Sequence, residues 1–254
     1  MSPVDLSFVD VGAGPTLVLL MGLGAPAVAW EPHYSTWSVG RRCIAVDNRG
    51  AGDSPLGDPV LTTADMAADV AALLDKLDAG SCDVAGISMG SCIAQELAIS
   101  RPDLVNRLVL VAPWARSDPY TDGVLESLSE ARAHGSQRQF NLLLRNTVWT
   151  PEWINDHSAE QELALRTAPA LTVEAFQQQA AACASHDTRV RLSEVSAPTL
   201  ITYGEQDVFI RPSRSREVAE LIPGAELLAF QGSGHVHHWE HLDAFNAAIE
   251  EWLG

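Results

Sequence analysis

One stretch, Val84-Ala85-Gly86-Ile87-Ser88-Met89-Gly90-Ser91-Cys92, constrains the fold more than any other part of the chain. A short apolar run ends in Gly-x-Ser-x-Gly and passes at once into a helix-forming run, Ile93-Ala94-Gln95-Glu96-Leu97-Ala98. This is the pattern of a strand that turns sharply into a helix with a serine at the apex, its hydroxyl clear of the sheet and able to attack a carbonyl. Glycines at 86 and 90 suit the close approach of strand and helix backbones. Taken alone, the five residues fit a glycine-flanked turn with an incidental serine equally well. An acid, a base and an oxyanion site elsewhere in the chain have to decide.

The surrounding pattern is that of an α/β protein. Residues 6–11 alternate like an edge strand, and 16–21 are continuously apolar, as in a strand covered on both faces. Residues 43–46, 82–87 and 107–111 are further apolar strands, and 43–46 runs into the polar, glycine-rich segment 47–54. Thr62 or Thr63 can cap a helix bearing Met66, Val70, Leu73, Leu74 and Leu77 on one face. From 114 to 190 strands cease, and 125–133, 140–146, 151–157, 159–167 and 172–184 read as helices. Thr150 and Pro151 form a start signal, with Trp149 placed to staple onto Ile154. Strand and helix alternate again through 198–203, 212–221, 226–230 and a final helix carrying Leu242, Phe245, Ile249 and Trp252.

Charge narrows the function. The net charge of −17, with Lys76 the sole lysine among 16 basic residues, repels nucleic acid and anionic membranes, so neither is expected as a partner. It also disfavours highly anionic substrates unless a local arginine overrides the global field. No basic leader precedes an apolar core, and the apolar stretch 16–30 is broken by Gly22, Gly24 and Pro26. Neither a signal peptide nor a membrane span is expected. Cys43, Cys82, Cys92 and Cys183 show no Cys-x-x-Cys spacing, so reduced thiols and a cytoplasmic location are expected, with Cys92 as core packing.

A serine nucleophile needs a histidine to take its proton, and the histidine needs a carboxylate to fix its tautomer. Asp207 follows the strand ending at Tyr203, and His235 follows the strand ending at Phe230, in the order serine, acid, base. Glu205 and Asp118 are competing acids, and a plain turn or cap role for Asp207 stays open. His237, His238 and His241 crowd His235, but no carboxylate or cysteine spacing makes them a metal set, so no metal is expected and they read as solvated or capping residues. The oxyanion donors are expected at the Met89 N–H and, in the loop after 16–21, the Leu23 N–H. Trp114, Phe140, Trp149 and Trp153, with Val236 beside the base, are candidates to line an apolar pocket; Trp114 and Trp149 lead, against the alternative that each is helix-packing core.

Residues 84–92, the Asp-x-Arg-Gly-x-Gly-x-Ser segment 47–54, Gly204 to Asp207, and Gly234-His235 with Glu240 together resemble the α/β-hydrolase superfamily. The chain is similar over nearly its whole length to the branch holding 3-oxoadipate enol-lactonases, cofactor-free haloperoxidase-like perhydrolases and small carboxylesterases. The resemblance implies an α/β-hydrolase fold: a mostly parallel sheet of seven or eight strands, helices on both faces, and an all-helical cap (114–190) inserted after the family's sixth strand into a core of 1–113 and 191–254. Two departures stand out. Met21 replaces the histidine that generally organises the oxyanion loop, and the short start implies that the first of the usual eight strands is missing or vestigial.

The expected activity is cofactor-free hydrolysis of a small, mainly apolar ester or lactone, with Ser88, His235 and Asp207 as triad. The same triad serves C–C bond hydrolysis, perhydrolysis or elimination and cyclisation on this scaffold, and a ligand-binding receptor with a retained triad is the third reading.

Overall fold

The computed structural model describes residues 3–57, 61–167 and 171–254. Seven strands form one sheet: β1 (Phe8–Gly12), β2 (Thr16–Leu20), β3 (Arg42–Val46), β4 (Cys82–Ile87), β5 (Val105–Val111), β6 (Thr199–Gly204) and β7 (Glu226–Phe230). Their order is β1-β3-β2-β4-β5-β6-β7, with β1 antiparallel to β3 and every other pair parallel. The helices are α1 (Glu31–Trp37), α2 (Thr63–Lys76), α3 (Met89–Ser100), α4 (Pro119–His134), α5 (Gln137–Val148), α6 (Pro151–Asp156), α7 (Ser158–Thr167), α8 (Val173–Ser185), α9 (Pro212–Leu221), α10 (His237–Glu240) and α11 (Leu242–Leu253).

The apolar runs of the central strands serve two cores at once. Val18, Leu20, Ile44, Val46, Val84, Leu108 and Leu110 pack on one face against Met66, Val70 and Leu74 of α2 and Cys92, Ile93 and Leu97 of α3. The alternate residues Leu17, Leu19, Cys43, Ala45, Ala85, Ile87, Val109 and Val111 pack on the other face against Trp37 of α1 and Phe245 and Ile249 of α11. A strand residue changes face at every step, so a strand covered on both sides has no polar position to give away. Each fully buried Leu or Ile is worth about 1.5–3 kcal/mol relative to exposure.

Local signals fix where helices begin. Thr62 caps α2: its hydroxyl accepts from the Asp65 N–H at 3.1 Å while the Asp65 carboxylate accepts from the Thr62 N–H at 3.1 Å. Thr150 caps α6 with Pro151 at the first turn, as the sequence implies. Trp149, just before this cap, stacks between Trp153 at 5.6 Å and Trp239 at 5.7 Å.

Helices α4 to α8 all fall between β5 and β6. This excursion leaves and returns at one place, where Arg116 and Asp187 form an isolated bridge and the Thr188 N–H donates to the Ala115 carbonyl at 2.8 Å. Leu125, Leu128, Phe140, Phe176, Ala180 and Cys183 tie it to the α2–α3 side of the core. Among the described residues, no helix is long and apolar enough to cross a membrane, and the four cysteines are buried free thiols.

Candidate active site

Ser88 sits between β4 and α3 with φ 53° and ψ −119°, a backbone conformation that L-residues avoid. Its N–H donates to the Val111 carbonyl at 2.8 Å, and its carbonyl accepts from the Ser91 N–H at 2.8 Å and the Ser91 hydroxyl at 2.6 Å. The turn is possible only with glycine on both sides. A Cβ at Gly86 would meet the Gly90 carbonyl oxygen at 2.2 Å, and one at Gly90 would meet the Leu20 carbonyl oxygen at 2.1 Å. The serine at the apex is therefore held by backbone bonds, with its hydroxyl on the wall of a cavity.

The structure brings His235 to the same cavity and joins it to Asp207. His235 Nδ1 lies 2.7 Å from Asp207 Oδ2, with both side chains enclosed, and a carboxylate can only accept, so Nδ1 carries the proton and Nε2 is left with a lone pair. Asp207 Oδ1 accepts from the N–H groups of Phe209 and Ile210 at 2.8 and 2.9 Å, which locks the carboxylate. Ser88 Oγ makes no hydrogen bond among the described residues, a common state of such sites without substrate. The competing acids lie elsewhere. Glu205 is exposed, and Asp118 caps α4 while pairing with Arg211 and Arg214.

Gly22 lies against the nucleophile: a Cβ there would stand 3.4 Å from Ser88 Cβ and 4.0 Å from Ser88 Oγ. Leu23 lines the cavity, and neither the Leu23 nor the Met89 N–H has an acceptor among the described residues. Met21 cannot hydrogen-bond as the usual histidine would, and two residues that the sequence reading passed over hold this loop instead. Asn48 Nδ2 donates to the Met21 carbonyl at 2.7 Å; Gln179 of α8 accepts from the Gly24 N–H at 2.9 Å and donates to the Arg49 carbonyl at 2.8 Å. Gln179 was visible only as a polar residue on the buried face that carries Phe176, Ala180 and Cys183.

The base loop is tied to the insertion. Glu240 accepts from the Gly234 N–H and from the Thr150 N–H, both at 2.7 Å, and the Val236 N–H donates to the Val148 carbonyl at 3.2 Å. Trp149 and Val236 thereby line the cavity. Trp114 does not: it is 2% exposed, packs edge-on against His186 at 6.2 Å, and its carbonyl accepts from Gln95 at 3.1 Å. The chain leaving β5 turns this indole into the core. His237 and His238 also differ from expectation, being fully buried. Their short helix packs into a slot of Trp30, His33 and Phe245, with His237 Nε2 2.9 Å from the Thr202 hydroxyl. Burial pushes His237 down to about 3 and His238 well below the usual histidine range. Only His241 is partly solvated, at the start of α11. Burial drives the Cys92 thiol far up, so it is no second nucleophile.

The cavity has a volume of about 360 Å³. Core loops contribute Gly22, Leu23, Ser88, Phe209 and His235; the insertion contributes Phe140, Leu144, Arg145, Trp149, Gln161 and Phe176. Such a pocket suits a small molecule with an apolar body.

A family model described as alpha/beta hydrolase fold matches residues 15–242. The candidate non-heme bromoperoxidase BpoC of Mycobacterium tuberculosis is 31% identical over 97% of this chain and 96% of its own, and its crystal structure superposes with a TM-score of 0.88. The candidate carbamate hydrolase RutD of Serratia proteamaculans is 28% identical over 96% of this chain and 92% of its own. The enol-lactonase from Burkholderia xenovorans LB400, at 23% identity, shares the fold with a TM-score of 0.89 over 98% of this chain and 96% of its own.

Proposed function

Because the chain belongs to the alpha/beta hydrolase fold family, we propose that it is a serine hydrolase cleaving a small, mainly apolar carboxylic ester or lactone. Ser88 Oγ attacks the carbonyl carbon as its proton passes to His235 Nε2. Asp207 keeps the imidazole oriented and stabilises the imidazolium. The N–H groups of Met89 and Leu23 hold the oxyanion, helped by the positive end of α3. The tetrahedral adduct collapses, the leaving oxygen takes the proton from His235, and an acyl ester remains on Ser88. Water, deprotonated by His235, then releases the acid and restores the serine. The helical insertion acts as a cap that shapes the acyl site. The observation that carries the reading is the enclosed 2.7 Å His235–Asp207 pair on the same cavity as a strained, glycine-flanked serine.

Similarity to BpoC favours a second use of the same intermediate. Hydrogen peroxide in place of water would attack the acyl ester and leave as a peracid. A panel of nitrophenyl esters, assayed with and without peroxide after fluorophosphonate labelling, tests both. Labelled protein that turns over esters supports hydrolysis, and acceleration by peroxide supports the second use. Unlabelled protein inert to every ester contradicts both.

A further inference from the structure

We propose that the cavity recognises an ester or lactone whose far end carries a single carboxylate, bound by Arg145, with the Gln161 amide as a second polar contact. This deepens the hydrolase reading and rests on it for the identity of the scissile bond.

The argument starts from charge. The chain has 33 acidic residues against 16 basic ones, and its arginines are mostly taken. Arg41, Arg42, Arg101, Arg138, Arg189, Arg191, Arg211 and Arg214 all make ion pairs. Arg145 is half-buried on the cavity wall, and among the described residues its side chain makes one hydrogen bond, from Nε to the Asn146 side chain at 3.1 Å. No carboxylate among the described residues pairs with it. A cation left unpaired in so acidic a chain, on the wall of a mainly apolar cavity, is placed for an anion that the protein does not supply.

The neighbouring polar groups sharpen this. Asn141, one turn before Arg145 on α5, is fully used: it donates to the Leu165 carbonyl at 2.9 Å and accepts from Gln137 at 2.8 Å. Gln161 on α7 is not. It is 8% exposed, lines the cavity, and its amide has no partner among the described residues. An unpartnered amide on the cavity wall is free to meet a ligand oxygen. Leu144, Val148, Trp149 and Phe140 make the rest of that wall apolar. The ligand this wall fits has a scissile carbonyl at Ser88, an apolar middle and an anionic end. One guanidinium within a net charge of −17 favours a monoanionic carboxylate over a dianionic phosphate.

The test uses the monomethyl and dimethyl esters of hexanedioic acid. Calorimetric binding to the Ser88→Ala protein should favour the monoanion by roughly tenfold or more. Adding Arg145→Met should bring the ratio to about one, whereas Arg145→Lys should keep part of it and Gln161→Leu should lower it about threefold. Equal binding of the two esters, or a preference that survives Arg145→Met, overturns the proposal; the first comparison keeps the arginine, so a misfolded variant cannot hide that result. Turnover by the unmodified protein separates the two readings. Both esters hydrolysed without preference would leave the hydrolase standing and remove the carboxylate site. Preferential binding without turnover would do the reverse.

Discussion

The two halves of the cavity are built on different principles. The core half holds Ser88, Asp207, His235 and the Gly22-Leu23 loop in place through backbone hydrogen bonds at strand ends. The insertion half presents side chains from helix faces, among them Phe140, Arg145, Trp149 and Gln161, and touches the core half through a few bonds such as Glu240 to Thr150 and Gln179 to Gly24. Chemistry needs fixed atoms, and the proposed mechanism places it where the backbone is over-determined. Selectivity needs only a surface, so it sits on elements whose residues can change without disturbing the sheet.

After Ser88 itself, the largest effect that separates the halves is expected at Asp207. Asp207→Asn should lower kcat by about 10⁴ with little change in KM, because Nδ1 then loses an obligate acceptor. A KM defect of similar size with normal kcat would move Asp207 from chemistry to binding.

Acid should act on the core half through His33 and His237, and on the base of the insertion through His186. Burial holds His33 and His186 down at about 4 and His237 at about 3, with Asn246 partly opposing the shift at His33. Below the unfolded-state value near 6.5 the unfolded chain therefore binds more protons than the folded one. Stability is unaffected by these groups above that pH and falls as pH drops from about 6.5 toward 4, by on the order of 1–2 kcal/mol per histidine. Tm measured from pH 7.5 to 5 should decline steadily, and a flat profile would mean that these rings are hydrated.

A smaller effect tests the bond between the halves. Gln179→Leu removes the acceptor of the Gly24 N–H and should lower kcat roughly tenfold while KM stays within about twofold. Gln179→Glu, which keeps an acceptor, should restore part of that loss. Parallel losses in stability without a kcat change would make Gln179 structural only.

The same division explains what the sequence could reveal. Gly86 and Gly90 are legible because no other residue fits between Leu20, Ser88 and α3. The pairing of Asp207 with His235 is legible because each follows a strand, in the chain order of the proposed triad. The apolar strands were clear because both sheet faces are covered. By contrast, Asn48 and Gln179 hold the Met21–Gly24 loop from distant positions, and no local pattern marks them. Trp114 falls to the core rather than the pocket, a choice the sequence leaves open because the direction of an indole three residues past a strand depends on tertiary packing. The burial of His237 and His238 was not legible because Trp30 and His33, which pack on His238, are remote in the chain.

The account stands most directly on Ser88. Turnover of the best ester by Ser88→Ala, measured beside its Tm, should fall by roughly 10⁴- to 10⁶-fold with the fold intact. Near-normal turnover by the folded variant would contradict it.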